Sequence, residues 1–169
     1  METLNSIFTR RSIRKYTDRS VGEEQIETIL RAAMAAPSAG NQQPWHFVVI
    51  DDRNTMIKIT EFHPYSNMLN HAPVAIAICA ELTLERFEGY WVQDCAAATQ
   101  NILVAAHGLG LGAVWLGIHP QEERMDGLRK LLHLPDHVMP LAVVAIGYPA
   151  EKKEKADRYQ ANRIHMNKW

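Results

Sequence analysis

At 169 residues, with 47% hydrophobic and 22% charged, the chain can bury the core of one compact domain and is too short for two. Its formal net charge of -1 argues against nucleic acid or an acidic membrane surface as a partner attracted by overall charge. Cys79 and Cys95 are the only cysteines and both lie in apolar stretches, where thiols act as small buried hydrophobes, so a disulfide framework is not expected and a reducing cytoplasm is.

Thr3 to Arg10 reads as a short helix leading into the basic run Arg10-Arg11-Ser12-Ile13-Arg14-Lys15. Ser20-Val21-Gly22-Glu23 has capping-box spacing, and Ile26, Ile29, Leu30, Ala33 and Met34 then recur at helical period as a buried face. Pro37 stops that helix and opens a polar loop that runs to Pro44. Phe47 to Ile50 predicts a strand, Thr55 to Phe62 a short helix and Pro73 to Cys79 a buried strand. Phe87 to His107 predicts a long helix with an alanine-rich face, suited to the centre of the fold or of a dimer, and Gly108 is placed to end it. Ala113 to Ile118 follows as a strand, Gln121 to Leu132 as a helix and Leu141 to Tyr148 as another buried strand. Together these elements describe one α+β domain over residues 1–169. The tail is charged from Glu151 to Arg158 but ends in Ile164-His165-Met166-Asn167-Lys168-Trp169, and a terminal tryptophan predicts a docked end, as in an arm embracing a partner subunit. Met1 to Asn5 lacks the basic start and apolar run of a signal peptide, and the longest apolar run, Ala72 to Ala80, is far short of a membrane span. A cytoplasmic protein is expected.

Three familiar patterns fail on context. Gly108 to Ala113 matches a dinucleotide-binding glycine pattern, but here it follows a helix and opens a strand, the reverse of the order that places a pyrophosphate on a helix amino end. His133 and His137 have helical ligand spacing, yet Pro135 lies between them, and no cysteine or carboxylate cluster completes a zinc shell. No metal site is expected. No serine sits in a nucleophile elbow, and neither cysteine lies in a nucleophile signature.

Two segments carry chemistry. Arg10-Arg11-Ser12-Ile13-Arg14 packs three guanidinium groups and a hydroxyl into five residues, donors suited to phosphate and to electron-rich carbonyl oxygens. On an extended backbone Arg10, Ser12 and Arg14 share one side. Taken alone, the run reads more readily as a solvated basic turn, or a nucleic-acid patch, than as a ligand site. Pro37-Ser38-Ala39-Gly40-Asn41-Gln42-Gln43-Pro44-Trp45 is stiffened by two prolines and offers uncharged donors and acceptors at Ser38, Asn41 and Gln43, as the edge of a flat heterocycle requires. Alone, it reads equally as a loop that only terminates a helix.

The R-R-S-x-R start, the P-S-x-x-N-x-Q-P-W loop, the A-P-V strand opening at Ala72, the central helix and the R-I-H…W ending at Arg163 to Trp169 together resemble the nitroreductase family of FMN-dependent enzymes, over essentially the whole chain. The resemblance implies a central, mostly antiparallel sheet flanked by helices. It also implies a homodimer with FMN at the subunit interface and a carboxy-terminal arm crossing to the partner. Arg10, Arg11, Ser12 and Arg14 would contact the cofactor from one subunit, with Arg10 and Arg163 on the phosphate and Arg14 at the pyrimidine edge, where it acts in catalysis. Pro37, Ser38, Ala39 and Asn41 would come from the other subunit. Trp115, Leu116 and Gly117 would lie beside the ring, with a backbone N–H of Leu116 or Gly117 reaching flavin N5; for Trp115 ordinary core packing is the alternative. Asn67 is the nearest candidate for an asparagine that touches the flavin in some relatives, and Arg158 is either a phosphate partner or a solvated charge. The chain lacks the large insertion that shapes the pocket of longer members.

The implied activity is transfer of hydride from NADH or NADPH, through flavin N5, to a small electron-poor acceptor such as a nitroaromatic or a quinone, by a ping-pong cycle at one shared face. The cofactor carries the difficult chemistry, so the absence of a nucleophile fits. The alternatives are an FMN-binding carrier or regulator without efficient turnover, and a nucleic-acid binder using Arg10 to Lys15, against which Glu23, Glu24 and Glu27 count.

Overall fold

The computed structural model describes residues 3–169; Met1 and Glu2, which entered the reading of the amino terminus, lie outside them. In chain order the elements are α1 (Thr3–Thr9), α2 (Glu23–Met34), β1 (Trp45–Ile50), α3 (Arg53–Phe62), β2 (Val74–Glu81), α4 (Trp91–Gly108), β3 (Gly112–Gly117), α5 (Glu122–Leu131) and β4 (Val138–Gly147). The strands form one sheet in the order β1-β2-β4-β3, and every neighbouring pair is antiparallel.

The two middle strands are apolar without alternation because helices cover both faces of the sheet. Ile76, Ile78, Val144 and Ile146 point to one side, where they pack with Ile29 and Ala33 of α2 and Ala98, Ile102 and Ala106 of α4. Ala75, Ala77, Val143 and Ala145 point to the other, against Met56 and Ile59 of α3 and Leu128 of α5. The small residues of α4 bring that helix close over the sheet, and Asn101 fastens it to α2 by donating to the Ala32 carbonyl at 2.9 Å. Cys79 and Cys95 are free and buried, and burial pushes the Cys79 thiol up to about 12. Among the described residues no helix is long and apolar enough to cross a membrane.

Several expected boundaries shift. The α2 cap is Gly22, not Ser20: the Gln25 side chain accepts from the Gly22 N–H at 3.2 Å, so only the returning half of a capping box forms. Met34, expected on the buried face, is exposed. Helix α4 begins at Trp91 rather than Phe87, where the Glu85 carboxylate accepts from the Trp91 N–H at 3.0 Å. At its other end Gly108 is still helical, and the left-handed residue is Gly110, at φ 77°. Strand β4 starts three residues before Leu141. Pro140 lies inside it, tolerated because the β2–β4 register shifts between Ile78 and Cys79, so the missing N–H falls at a bulge.

Beyond β4 the chain turns back along the amino-terminal segment. Ala150 N–H donates to the Lys15 carbonyl at 2.8 Å, Arg14 N–H to Glu151 Oε1 at 2.6 Å, and Lys153 Nζ to the Ser12 carbonyl at 2.8 Å. Residues 157–169 are exposed, and Trp169 stacks only on His165, 4.4 Å away between ring centroids. The docked end expected for Trp169 is not made on its own chain.

Candidate flavin site

The amino-terminal segment reaches the sheet through one close approach. Ser12 forms a parallel bridge with Ala113 at the outer edge of β3, and Ile13 N–H donates to the Ala113 carbonyl at 3.0 Å. This leaves the outer edge of β3 open beyond Ala113. Ile13 packs inward at 8% exposure while Arg14 next to it stays exposed, so the segment delivers its third arginine to that open edge.

Arg14 there lines a cavity of about 510 Å³ with Trp115, Leu116, Gly117, His63, Tyr65, Asn67, Met68 and Arg124. Backbone groups of successive strand residues point to alternate edges. Ala113 accepts from Ile13 at the outer edge, and the Gly117 carbonyl accepts there from Arg124 at 2.9 Å and bonds His63 Nε2 at 3.0 Å, whereas Ile118 N–H donates inward to Leu141 of β4. By that alternation the N–H of Gly117 faces outward into the cavity edge, and the N–H of Leu116 belongs to the β3–β4 ladder. Of the two N–H groups, that of Gly117 is the one outside the ladder.

His63 is held as a neutral ring. It is 2% exposed, its Nδ1 accepts from the Tyr65 N–H at 3.3 Å, and Nε2–H is therefore left to donate to the Gly117 carbonyl. Burial first, and then the Arg124 charge, lowers its pKa, against the opposing pull of the Gly117 carbonyl. Two donors on a single carbonyl fix the end of β3 and so the direction of its backbone.

Four residues before Arg14, an extended reach of at most about 14 Å, Arg10 lines a second cavity of about 720 Å³ with Arg11, Lys155, Arg158 and the single carboxylate Asp157. Burial first, and then the neighbouring Arg158 and Arg11 charges, lowers the Arg10 pKa. His107, bonded to Thr9 Oγ1 at 2.8 Å, is pushed down by burial and then by the Arg10 and Arg11 charges. The chemistry of this donor set fits an anion with several oxygens. Arg11 is spoken for differently: its guanidinium donates to the carbonyls of Glu154 at 2.8 Å, Ala156 at 3.3 Å and Arg10 at 2.6 Å, tying the tail to the segment.

The loop from Pro37 to Asn41 lies apart from both cavities and lines neither. It is tightly wound: Gly40, Asn41 and Gln43 all have positive φ, Ser38 Oγ accepts from the Gln43 N–H at 3.0 Å, and Gln43 Nε2 donates to Asn41 Oδ1 at 2.7 Å. Arg163 sits in an exposed turn, Ala161–Arg163, away from Arg10's cavity lining. One chain thus gathers Arg14 with residues 115–117 and Arg10 with Arg158, but neither Arg163 nor the loop joins them. Asn67 falls in the Arg14 cavity, beside residues that the sequence did not single out. His63, Tyr65 and Arg124 carry no local pattern; they meet only because α3 and α5 cover one face of the sheet.

The sequence profile of the nitroreductase family matches residues 7–63 and 61–148. A Methanothermobacter thermautotrophicus protein, provisionally named NADH dehydrogenase/NAD(P)H nitroreductase, is 53% identical over 169 residues, which is all of this chain and 88% of the relative. The FMN reductase [NAD(P)H] of Bacillus subtilis is 32% identical, over 97% of this chain and 72% of its own length. A structure from Desulfovibrio desulfuricans, provisionally a nitroreductase and solved in complex with FMN, superimposes with a TM-score of 0.86 at 33% identity, covering 100% of this chain and 98% of that one. Fold, motif order and sequence agree: the chain belongs to the nitroreductase family.

Proposed function

We propose that this chain is an FMN-dependent oxidoreductase that takes hydride from NADH or NADPH and delivers it to a small electron-poor acceptor, a nitroaromatic or a quinone. The observation that carries the reading is the pairing of Arg14 with the outward N–H of Gly117 at the open edge of β3, with the Arg10 and Arg158 cluster at the other end of the same short segment. One end suits a flat, electron-rich ring edge and the other a phosphate, the two poles of FMN.

Bound FMN supplies the redox chemistry, since it can take two electrons from a nicotinamide and pass them on. The protein supplies position and charge. Gly117 N–H serves as a fixed donor to ring N5, held by His63 and Arg124 through the adjoining carbonyl. Arg14 sets a permanent positive charge at the pyrimidine edge, where electron density gathers and an opposite charge stabilises it. Arg10, with Arg158, holds the phosphate, Ser12 stands between Arg10 and Arg14 along the segment, Asn67 lines the ring end, and Arg11 positions the tail that carries Arg158.

The loop of Pro37, Ser38, Ala39 and Asn41 belongs in this reading to the partner of a homodimer, with Arg163 and the arm ending at Trp169 reaching across. Support comes from the loop's absence from the lining of both cavities and from the exposed apolar ends Ile164, Met166 and Trp169. The test is the visible spectrum of purified protein before and after anaerobic NADH or NADPH, with the released flavin identified. FMN absorbance that bleaches with either nucleotide supports the reading. Bound FMN that neither nucleotide bleaches points to the carrier or regulator, and a colourless protein that takes up no FMN sinks both.

A further inference from the structure

Asp94, in the first turn of α4, is 4% exposed, and among the described residues it has no ion-pair partner. A buried carboxylate without a cation is costly unless both oxygens are satisfied. Both are, and by the same loop: Oδ1 accepts from the Ala39 N–H at 2.9 Å and Oδ2 from Gln42 Nε2 at 2.7 Å. The helix amino end adds favourable polarity.

Gln42 cannot turn its amide over to suit a different partner. Its Oε1 already accepts from two backbone donors, Arg86 N–H at 2.9 Å and Phe87 N–H at 3.2 Å. The direction of every bond in the network is therefore fixed, and position 94 must present acceptors on both sides. The network joins three segments: the loop at residues 38–43, the turn at residues 85–90, and the start of α4. Phe87 from that turn lies over Gly40, so closely that a Cβ on the glycine would collide with its ring. The loop it holds is strained, with Asn41 at φ 55° and Gln43 at φ 47°, conformations that persist only where the surroundings over-determine them.

We propose that Asp94 and Gln42 are positioning residues, a clamp of fixed hydrogen-bond polarity that holds the Ser38–Asn41 loop in the shape required to receive FMN. The proposal rests on the flavin reading above. Its logic is that of an acceptor facing a donor, so the polarity can be reversed as a unit. Asp94→Asn alone sets an amide NH₂ against either the Ala39 N–H or the Gln42 amide. Adding Gln42→Glu supplies a carboxylate that can accept from position 94 on one oxygen and from Arg86 and Phe87 on the other, which satisfies every group again.

The experiment measures FMN dissociation constants by quenching of flavin fluorescence, with circular dichroism and thermal melts of the FMN-free proteins alongside. D94N is expected to weaken FMN binding by about tenfold or more, the scale of one buried unsatisfied donor, while its far-UV spectrum matches wild type. The D94N/Q42E double variant is expected to recover binding to within about threefold of wild type, a rescue that simple loss of packing does not produce. D94N that binds FMN as wild type does, or a double variant no better than D94N, overturns the proposal. Should D94N fail to fold, the double variant decides alone: folded and FMN-binding supports the clamp, and anything else overturns it. Wild-type protein that takes up no FMN sinks the flavin reading and, with it, the loop's assignment as an FMN loop. The polarity of the clamp itself is then read from the melts, where D94N falls and the double variant recovers.

Discussion

Ile13 lies across Gly112 so closely that a Cβ on the glycine would come within 2.7 Å of the isoleucine side chain. The contact seats the amino-terminal segment along β3, and the seat in turn delivers Arg14 to the cavity beside Gly117. A residue with no functional group of its own thereby sets where a guanidinium stands.

Gly112→Ala should therefore act on the site as well as on the fold. Overpacking at so tight a contact costs about 1–3 kcal/mol, and the segment is the part free to shift. Urea unfolding should register the loss, and FMN affinity should fall with it. A variant equal to wild type in both measurements would show that the segment has slack.

Arg14→Ala should slow reduction of bound FMN by NAD(P)H roughly tenfold or more while weakening FMN binding less, because its charge matters most when electron density reaches the ring. Stopped-flow traces at saturating FMN give the rate directly. Rates matching wild type would remove Arg14 from catalysis and leave it a binding residue.

Arg158→Ala should separate the two poles of the ligand. Loss of a charged hydrogen-bonding partner is worth about 1.5–3 kcal/mol, so the FMN dissociation constant should rise roughly ten- to hundredfold, while that for riboflavin, which has no phosphate, should hardly move. Titration of both ligands into wild type and variant checks this. An equal loss for both would place Arg158 in folding rather than on the phosphate.

His63 predicts a pH dependence of stability. Its pKa is lowered in the folded chain, so the unfolded chain binds the proton first as pH falls. The contribution of His63 is fully present above the unfolded value near 6.5 and is lost as pH drops from there toward the lower folded value. Chemical denaturation at a series of pH values should show stability falling below about pH 6.5. His63→Gln, which can still donate to the Gly117 carbonyl but does not titrate, should flatten that slope; an unchanged slope would assign the dependence to other groups.

What the sequence disclosed, and what it withheld, follow from distance along the chain. The run from Val74 to Ala80 announces a buried strand because both faces of a central strand meet apolar cover, and the arginines announce anion chemistry by type alone. The start of β4 was hidden by Pro140, which argues against a strand unless the bulge beside it is known. Ser20 looked like a cap by spacing, but the backbone chose Gly22, with Gln25 rather than Glu23 reaching back. His63 and Arg124 meet on one carbonyl only after the chain has folded, 54 and 7 residues from Gly117. Asp94 read as one more polar position on a helix, since nothing local shows that its side chain faces a loop 52 residues earlier.

The chain that follows β4 grips the segment that follows α1, through Arg11 to Glu154 and Arg14 to Glu151, contacts 143 and 137 residues apart. Such pairings cannot form until the segment after β4 exists, and closing loops of that length adds to the entropic barrier. Arg11 and Arg14 are therefore made well before the residues that hold them. A chain still being made thus carries these charges before it has the segment that holds the Arg11 side chain and the Arg14 backbone.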